Sequence, residues 1–257
     1  MVTGLEHFVQ FFRGLQDCFI LIGGTACDLW FTDKGLAFRA TKDLDIVLVA
    51  EATRPDFFQR FWEFIRDGAY ESHQQNNPPP NYYRFKKPAN PLHPSMIELF
   101  TRNILEVPGD VRLTPIPAGD RLSSLSAILI DDEYYQFIVD SRITINGVPT
   151  VPVQCLIPLK ARAYLNLLES QSKGEQIDAG QIKKHRNDVF RLYLTLAPDN
   201  RFPLPAKLKD DVDESLGRFV SDSPDWPNIQ QAVDGLPARQ SVIAQIRENF
   251  GLDSKNV

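Results

Sequence analysis

The apolar run Phe19-Ile20-Leu21-Ile22 leads directly into Gly23-Gly24-Thr25-Ala26, and a second run, Ile46-Val47-Leu48-Val49, is entered through Asp43-Leu44-Asp45. The first run predicts a strand that ends in glycine and hands over to a helix. At such a turn free backbone N–H groups and the positive helix end face the same point, which suits an anion such as phosphate. The second run predicts a strand buried on both faces. Side chains alternate along a strand, so Asp43 and Asp45 project from one face, close enough to share a divalent cation. Carboxylates beside a core strand cost several kcal/mol unless they are paired or bound to a cation, so these two call for a partner.

Further along, Glu98 interrupts the apolar segment Met96-Ile97-Glu98-Leu99-Phe100. Leu5, Phe8, Val9 and Phe12 have helical spacing, and Arg54–Asp67 carries Phe57, Phe58, Phe61, Trp62, Phe64 and Ile65 behind Pro55. Both segments predict helices that cover a sheet. The run from Ser72 to Pro80 is too polar and too rich in proline for a regular element. Short apolar runs at Tyr82–Phe85, Val111–Ile116, Tyr134–Val139, Arg142–Ile145 and Val148–Val153 predict a strand-rich region, with Asn146-Gly147 as a two-residue hairpin turn between the last two.

From Leu156 onward the pattern is helical. Helices are expected over Pro158–Glu169, Asp178–Leu196, Pro205–Gly217, Trp226–Asp234 and Pro237–Gly251. The expected organisation is an α/β (α+β) domain over residues 1–153, with a mixed sheet and helices, followed by a helical domain over 154–257.

The glycine turn and the Asp-x-Asp strand together resemble the signature of the polymerase beta-like nucleotidyltransferase superfamily. The wording Gly23-Gly24-Thr25-Ala26 and then Arg39-Ala40-Thr41-Lys42-Asp43-Leu44-Asp45 is most similar to the AbiEii branch, nucleotidyltransferase toxins of bacterial toxin–antitoxin systems. The resemblance spans about Phe19 to Leu196. It departs from the pattern in the eighteen residues, Thr25 to Lys42, between the glycines and the first aspartate.

The resemblance implies a nucleoside triphosphate substrate, held by Gly23, Gly24 and Thr25, and Mg²⁺ held by Asp43, Asp45 and Glu98, the last in a place where the superfamily more often has aspartate. It implies a lysine on the first C-terminal helix, matched by Lys160, and a Lys-Asp-x-x-Asp stretch on the second. Lys184 and Asp188 match its outer positions, and His185 stands where the inner aspartate would be. The implied reaction moves a nucleoside monophosphate to an acceptor hydroxyl, with RNA as a candidate acceptor and an antitoxin protein as a candidate partner. A catalytically silent nucleotide-binding regulator, or an interaction protein of the same fold, is the alternative.

The formal net charge of -5 argues against nucleic-acid binding through a global positive field. A local one remains open, because Lys183, Lys184, His185, Arg186 and Arg191 fall within nine positions of one expected helix. Met1 to His7 shows no basic region followed by an apolar run, and no segment has the length of a membrane span, so a cytoplasmic protein is expected. Cys18, Cys27 and Cys155 form no CxxC pair and predict reduced, buried thiols. His7, His73, His93 and His185 have no metal-ligand spacing, so a histidine metal centre is not expected from the sequence.

Overall fold

A computed structural model describes residues 2–72, 84–102, 113–115, 126–219 and 225–252, with the backbone alone at 113–115 and 126–129. The chain divides into two compact units, Met1–Pro152 and Val153–Val257. The first is a mixed sheet with helices and the second is helical, the α+β class expected from the sequence.

The first unit begins with α1 (Leu5–Phe11), a short 3₁₀ turn and β1 (Phe19–Ile22), which passes without a loop into α2 (Gly23–Asp33). β2 (Asp43–Leu48) follows, then α3 (Pro55–Gly68), β3 (Glu71–Ser72), β4 (Arg84–Lys86) and β5 (Met96–Thr101). β6 (Leu113–Pro115), β7 (Ser126–Leu129), α4 (Asp132–Asp140) and the hairpin β8 (Ile143–Ile145) and β9 (Val148–Thr150) complete it.

The sheet runs β1-β2-β5-β4-β3. β2 is antiparallel to β1 and parallel to β5. β4 and β7 share the other edge of β5, β4 along its first half and β7 at its end.

One face of this sheet is the core. Phe19, Leu21, Leu44, Ile46, Phe85, Ile97 and Leu99 alternate onto it and are buried with Leu5, Phe8 and Phe12 of the N-terminal segment and Phe57, Phe61 and Phe64 of α3. Pro55 occupies the first turn of α3, where its missing N–H costs nothing. Rings pack edge-on or tilted, as in Phe8–Phe19 at 5.3 Å and Phe12–Phe57 at 5.5 Å between centroids, so the aromatic run of α3 is packing material.

Several sequence expectations shift. Tyr134–Val139 is not a strand but lies in α4, because Asp131 caps the helix by accepting from Glu133 N–H and the buried Tyr134, Tyr135 and Ile138 fall on one helical face. Ala50 N–H donates to the Tyr135 hydroxyl at 2.7 Å, and that hydroxyl donates to Glu51 Oε2 at 2.7 Å. The expected Asn146-Gly147 turn is present, with φ of 51° and 78° and Ile145 paired to Val148. Residues 73–83, 103–112 and 116–125 lie outside the described residues. These include most of the Ser72–Pro80 loop, Tyr82, Tyr83 and the ends of the Val111–Ile116 run.

The second unit contains α5 (Val153–Ser172), α6 (Ala179–Tyr193), α7 (Ala206–Gly217), α8 (Trp226–Ala232) and α9 (Arg239–Phe250). α5 starts before Pro158, which sits inside the helix rather than opening it. Asp178 caps α6 by accepting from Gly180 N–H at 2.8 Å. Among the described residues no helix is long and apolar enough to cross a membrane.

Candidate functional site

In the parallel pairing of β2 with β5, Asp45 stands directly opposite Glu98 and Asp43 opposite Met96. The intervening Leu44, Ile46, Ile97 and Leu99 are fully buried in the aromatic core, so Asp43, Asp45 and Glu98 all point to the other face. All three are half-buried. Asp45 and Glu98 thus stand on adjacent strands, which lie about 4.8 Å apart. Three hard oxygen donors on one sheet face fit Mg²⁺ better than a soft metal.

Glu98 already has a cationic neighbour. Arg84 of β4 is its register partner on the other side, and both Nε and Nη2 of Arg84 donate to Glu98 Oε1. Arg84 belongs to no motif, and only the β4–β5 register reveals it. The arginine offsets part of the acidic charge that the sheet gathers here.

The glycine turn lies against these acids. Ile22 pairs with Asp45 across β1 and β2, so the next residue passes over the carboxylate. Gly23 has φ of +68°, and a Cβ there would fall 1.8 Å from Asp45 Oδ2. A Cβ on Gly24 would fall 2.5 Å from Thr41 Oγ1. Glycine is therefore required twice, once for conformation and close approach and once for close approach alone. The N-terminus of α2 sits beside Asp45.

Thr25 departs from the expectation that its hydroxyl serves a phosphate. It is fully buried, and Oγ1 donates to the Asp43 carbonyl at 2.6 Å. The hydroxyl braces α2 against the entry to β2 and so positions the two aspartates.

Lys160, Lys184 and Asp188 belong to the helical unit. Lys160 on α5 and Asp188 on α6 form a buried ion pair, Nζ to Oδ2 at 3.2 Å, and Arg191 Nη1 reaches Asp188 Oδ1 at 3.1 Å. Lys184 is half-buried one turn before Asp188, next to the half-buried His185. The basic run does not form a continuous positive wall. Arg186 is buried, with Nη1 2.9 Å from Asp225 Oδ2, and Arg191 also donates to the Ala232 carbonyl at 2.7 Å. Helical periodicity explains this, since Arg186 shares its face with the buried Val189 and Phe190.

The three cysteines are free and buried. Burial, with Asp17 beside it, pushes the Cys18 thiol up to about 11, and burial also raises Cys155. Neither has the lowered pKa of a nucleophile.

No family model matches the chain, and no curated protein matches it. Among solved structures it is similar to JHP933 from Helicobacter pylori, at 12% identity and a TM-score of 0.40 over 95% of this chain and 88% of that one. It is also similar to the Megavirus polyadenylate synthase, at 13% identity and a TM-score of 0.34 over 88% of this chain and 38% of that one. Likeness at this level assigns neither family nor activity.

Proposed function

We propose that this protein is a nucleotidyltransferase that moves a nucleoside monophosphate from a nucleoside triphosphate to an acceptor hydroxyl and releases pyrophosphate. The observation that carries the reading is the meeting of Asp45, Glu98 and Gly23, because it puts two facing carboxylates beside a helix N-terminus built on glycine. Asp43, Asp45 and Glu98 would hold Mg²⁺, which when bound neutralises phosphate charge and acidifies an acceptor hydroxyl. The first amides of α2 at Gly23 and Gly24 would receive the β and γ phosphates. Thr25 keeps the aspartates in place through the Asp43 carbonyl, and Arg84 fixes the Glu98 carboxylate. In the helical unit Asp188 pairs with Lys160 and Arg191, and a role for Lys184 rests on the family resemblance alone. An RNA acceptor, an antitoxin partner and a toxin's role rest on the family resemblance alone.

A second reading, nucleotide binding without turnover, is favoured by the Arg84–Glu98 pair, which meets part of the charge requirement without a metal. Incubating the protein with each nucleoside triphosphate, Mg²⁺ and total RNA, and measuring pyrophosphate, separates the two. The proposed activity gives Mg²⁺-dependent release with labelled acceptor. Triphosphate binding without release selects the second reading.

A further inference from the structure

His7, Asp67 and His93, which stand far apart in the sequence, meet at one point of the first unit. Their donor atoms all lie within 4.8 Å of one another. Asp67 Oδ2 is 3.4 Å from His93 Nε2 and 3.7 Å from His7 Nε2, and the two imidazole centroids are 4.7 Å apart.

The chain is shaped around this cluster. The His93 side chain is 0% exposed. A Cβ on Gly4 would fall 2.5 Å from the His93 carbonyl carbon, and one on Gly68 would fall 2.7 Å from His93 Cδ2. Glycines at the start of α1 and the end of α3 thus let both helices close on the residue. Tyr70 donates to the Pro94 carbonyl at 2.6 Å and holds the loop from the other side.

The packing leaves polar atoms unsatisfied. His93 Nε2 and His7 Nε2, which face Asp67, make no hydrogen bond of normal geometry. The Phe64 backbone, Asp67 and His7 are the polar groups that act on the His93 ring. A buried polar atom without a hydrogen bond costs about 1–3 kcal/mol, and His7 Nε2 and His93 Nε2, both facing the Asp67 carboxylate, are placed to share one occupant.

We infer that His7, Asp67 and His93 form a binding site for a divalent transition-metal ion of the zinc class. Two imidazoles and one carboxylate are the donors that such an ion selects, at metal–ligand distances of about 2.0–2.2 Å. Tetrahedral donors at that radius stand about 3.3 Å apart, so the carboxylate is already at the right spacing and the histidines need to close slightly. A cavity of about 310 Å³, bounded among others by Thr3, Glu6, His7 and Leu92, opens beside His7. The ion ties α1 to the end of α3 and to the loop that enters β5. The site is separate from the acids of β2 and β5, which are all-oxygen donors suited to Mg²⁺.

The test uses the full chain, stripped with a chelator and titrated with Co²⁺ and Zn²⁺ in excess Mg²⁺. Visible ligand-field absorption reports Co²⁺ geometry, and a competing chromophoric chelator reports Zn²⁺ affinity. One ion per chain should bind, with a tetrahedral Co²⁺ spectrum and a higher melting temperature with Zn²⁺. Asp67→Asn and His7→Gln, at partly exposed positions, should fold yet lose at least about tenfold in Zn²⁺ affinity, as even outer-shell changes do. Asp45→Asn should leave this binding unchanged. No saturable binding, or binding that survives both Asp67→Asn and His7→Gln, overturns the inference.

Discussion

Gly23 passes so close to Asp45 that a single methyl group on the glycine would fall 1.8 Å from the carboxylate Oδ2. The two halves of the sequence signature are therefore in direct contact, and the glycine cannot gain a side chain without a shift of the acid. Gly23→Ala combines a strained positive φ with overpacking and should cost about 1–3 kcal/mol in urea denaturation. In an Asp45→Ala background the same change should cost less, because the group it strikes has been removed. Equal costs in both backgrounds would mean that backbone strain alone requires glycine here.

Thr25 tests whether the aspartates need a brace. Thr25→Val keeps the shape but leaves the half-buried Asp43 carbonyl without its 2.6 Å donor, at an expected cost of about 1 kcal/mol. Thr25→Ser should retain most of the stability. If Thr25→Val were as stable as the parent, the hydroxyl would be spare and available to a ligand.

The Lys160–Asp188 pair, with side chains 4% and 0% exposed, should dominate the stability of the helical unit. Asp188→Ala removes the buried carboxylate that faces both Lys160 and Arg191 and should cost about 3–5 kcal/mol, whereas replacing Lys160 and Asp188 together with apolar groups of similar volume should cost less. Thermal unfolding of the single and double variants measures this. A single variant as stable as the parent would return Asp188 to the list of purely functional residues.

Cys18, with its thiol raised to about 11, should be almost entirely protonated at pH 8. Alkylation of the native chain at that pH should be slow, and unfolding should expose all three cysteines to rapid modification. Because burial supplies the largest part of the shift, thiolate reactivity should appear only as pH approaches that value or the fold opens. Fast labelling of Cys18 in the native state would contradict its buried position.

Much of the first unit is legible in the sequence. The glycine turn, the two-residue hairpin at Asn146-Gly147 and the alternation of Leu44, Ile46, Ile97 and Leu99 follow from local rules of glycine conformation and strand periodicity. The acids Asp43 and Asp45 can be placed on one face by counting, but that Glu98 faces Asp45 depends on the β2–β5 register, which pairing across 53 residues decides. Arg84 is invisible for the same reason. Tyr134–Val139 reads as a strand in the sequence because a short apolar run fits either period, and the Asp131 cap makes it a helix. The charge run of α6 reads as a surface until its periodicity against Val189 and Phe190 shows that Arg186 turns inward. His7 and His93 have no sequence relation at all, since α1, α3 and the loop before β5 bring them together.

The most direct test of the central claim is pyrophosphate release by the Asp45→Asn chain, with Mg²⁺ and the triphosphate that the parent uses, alongside its melting temperature. The substitution keeps the size of the side chain against Gly23 while removing the charge proposed to hold the cation. The account predicts a loss on the order of 100-fold or more with the fold retained. Release at the parent's rate from a folded Asp45→Asn chain would contradict the assignment of the acid cluster as the reaction centre.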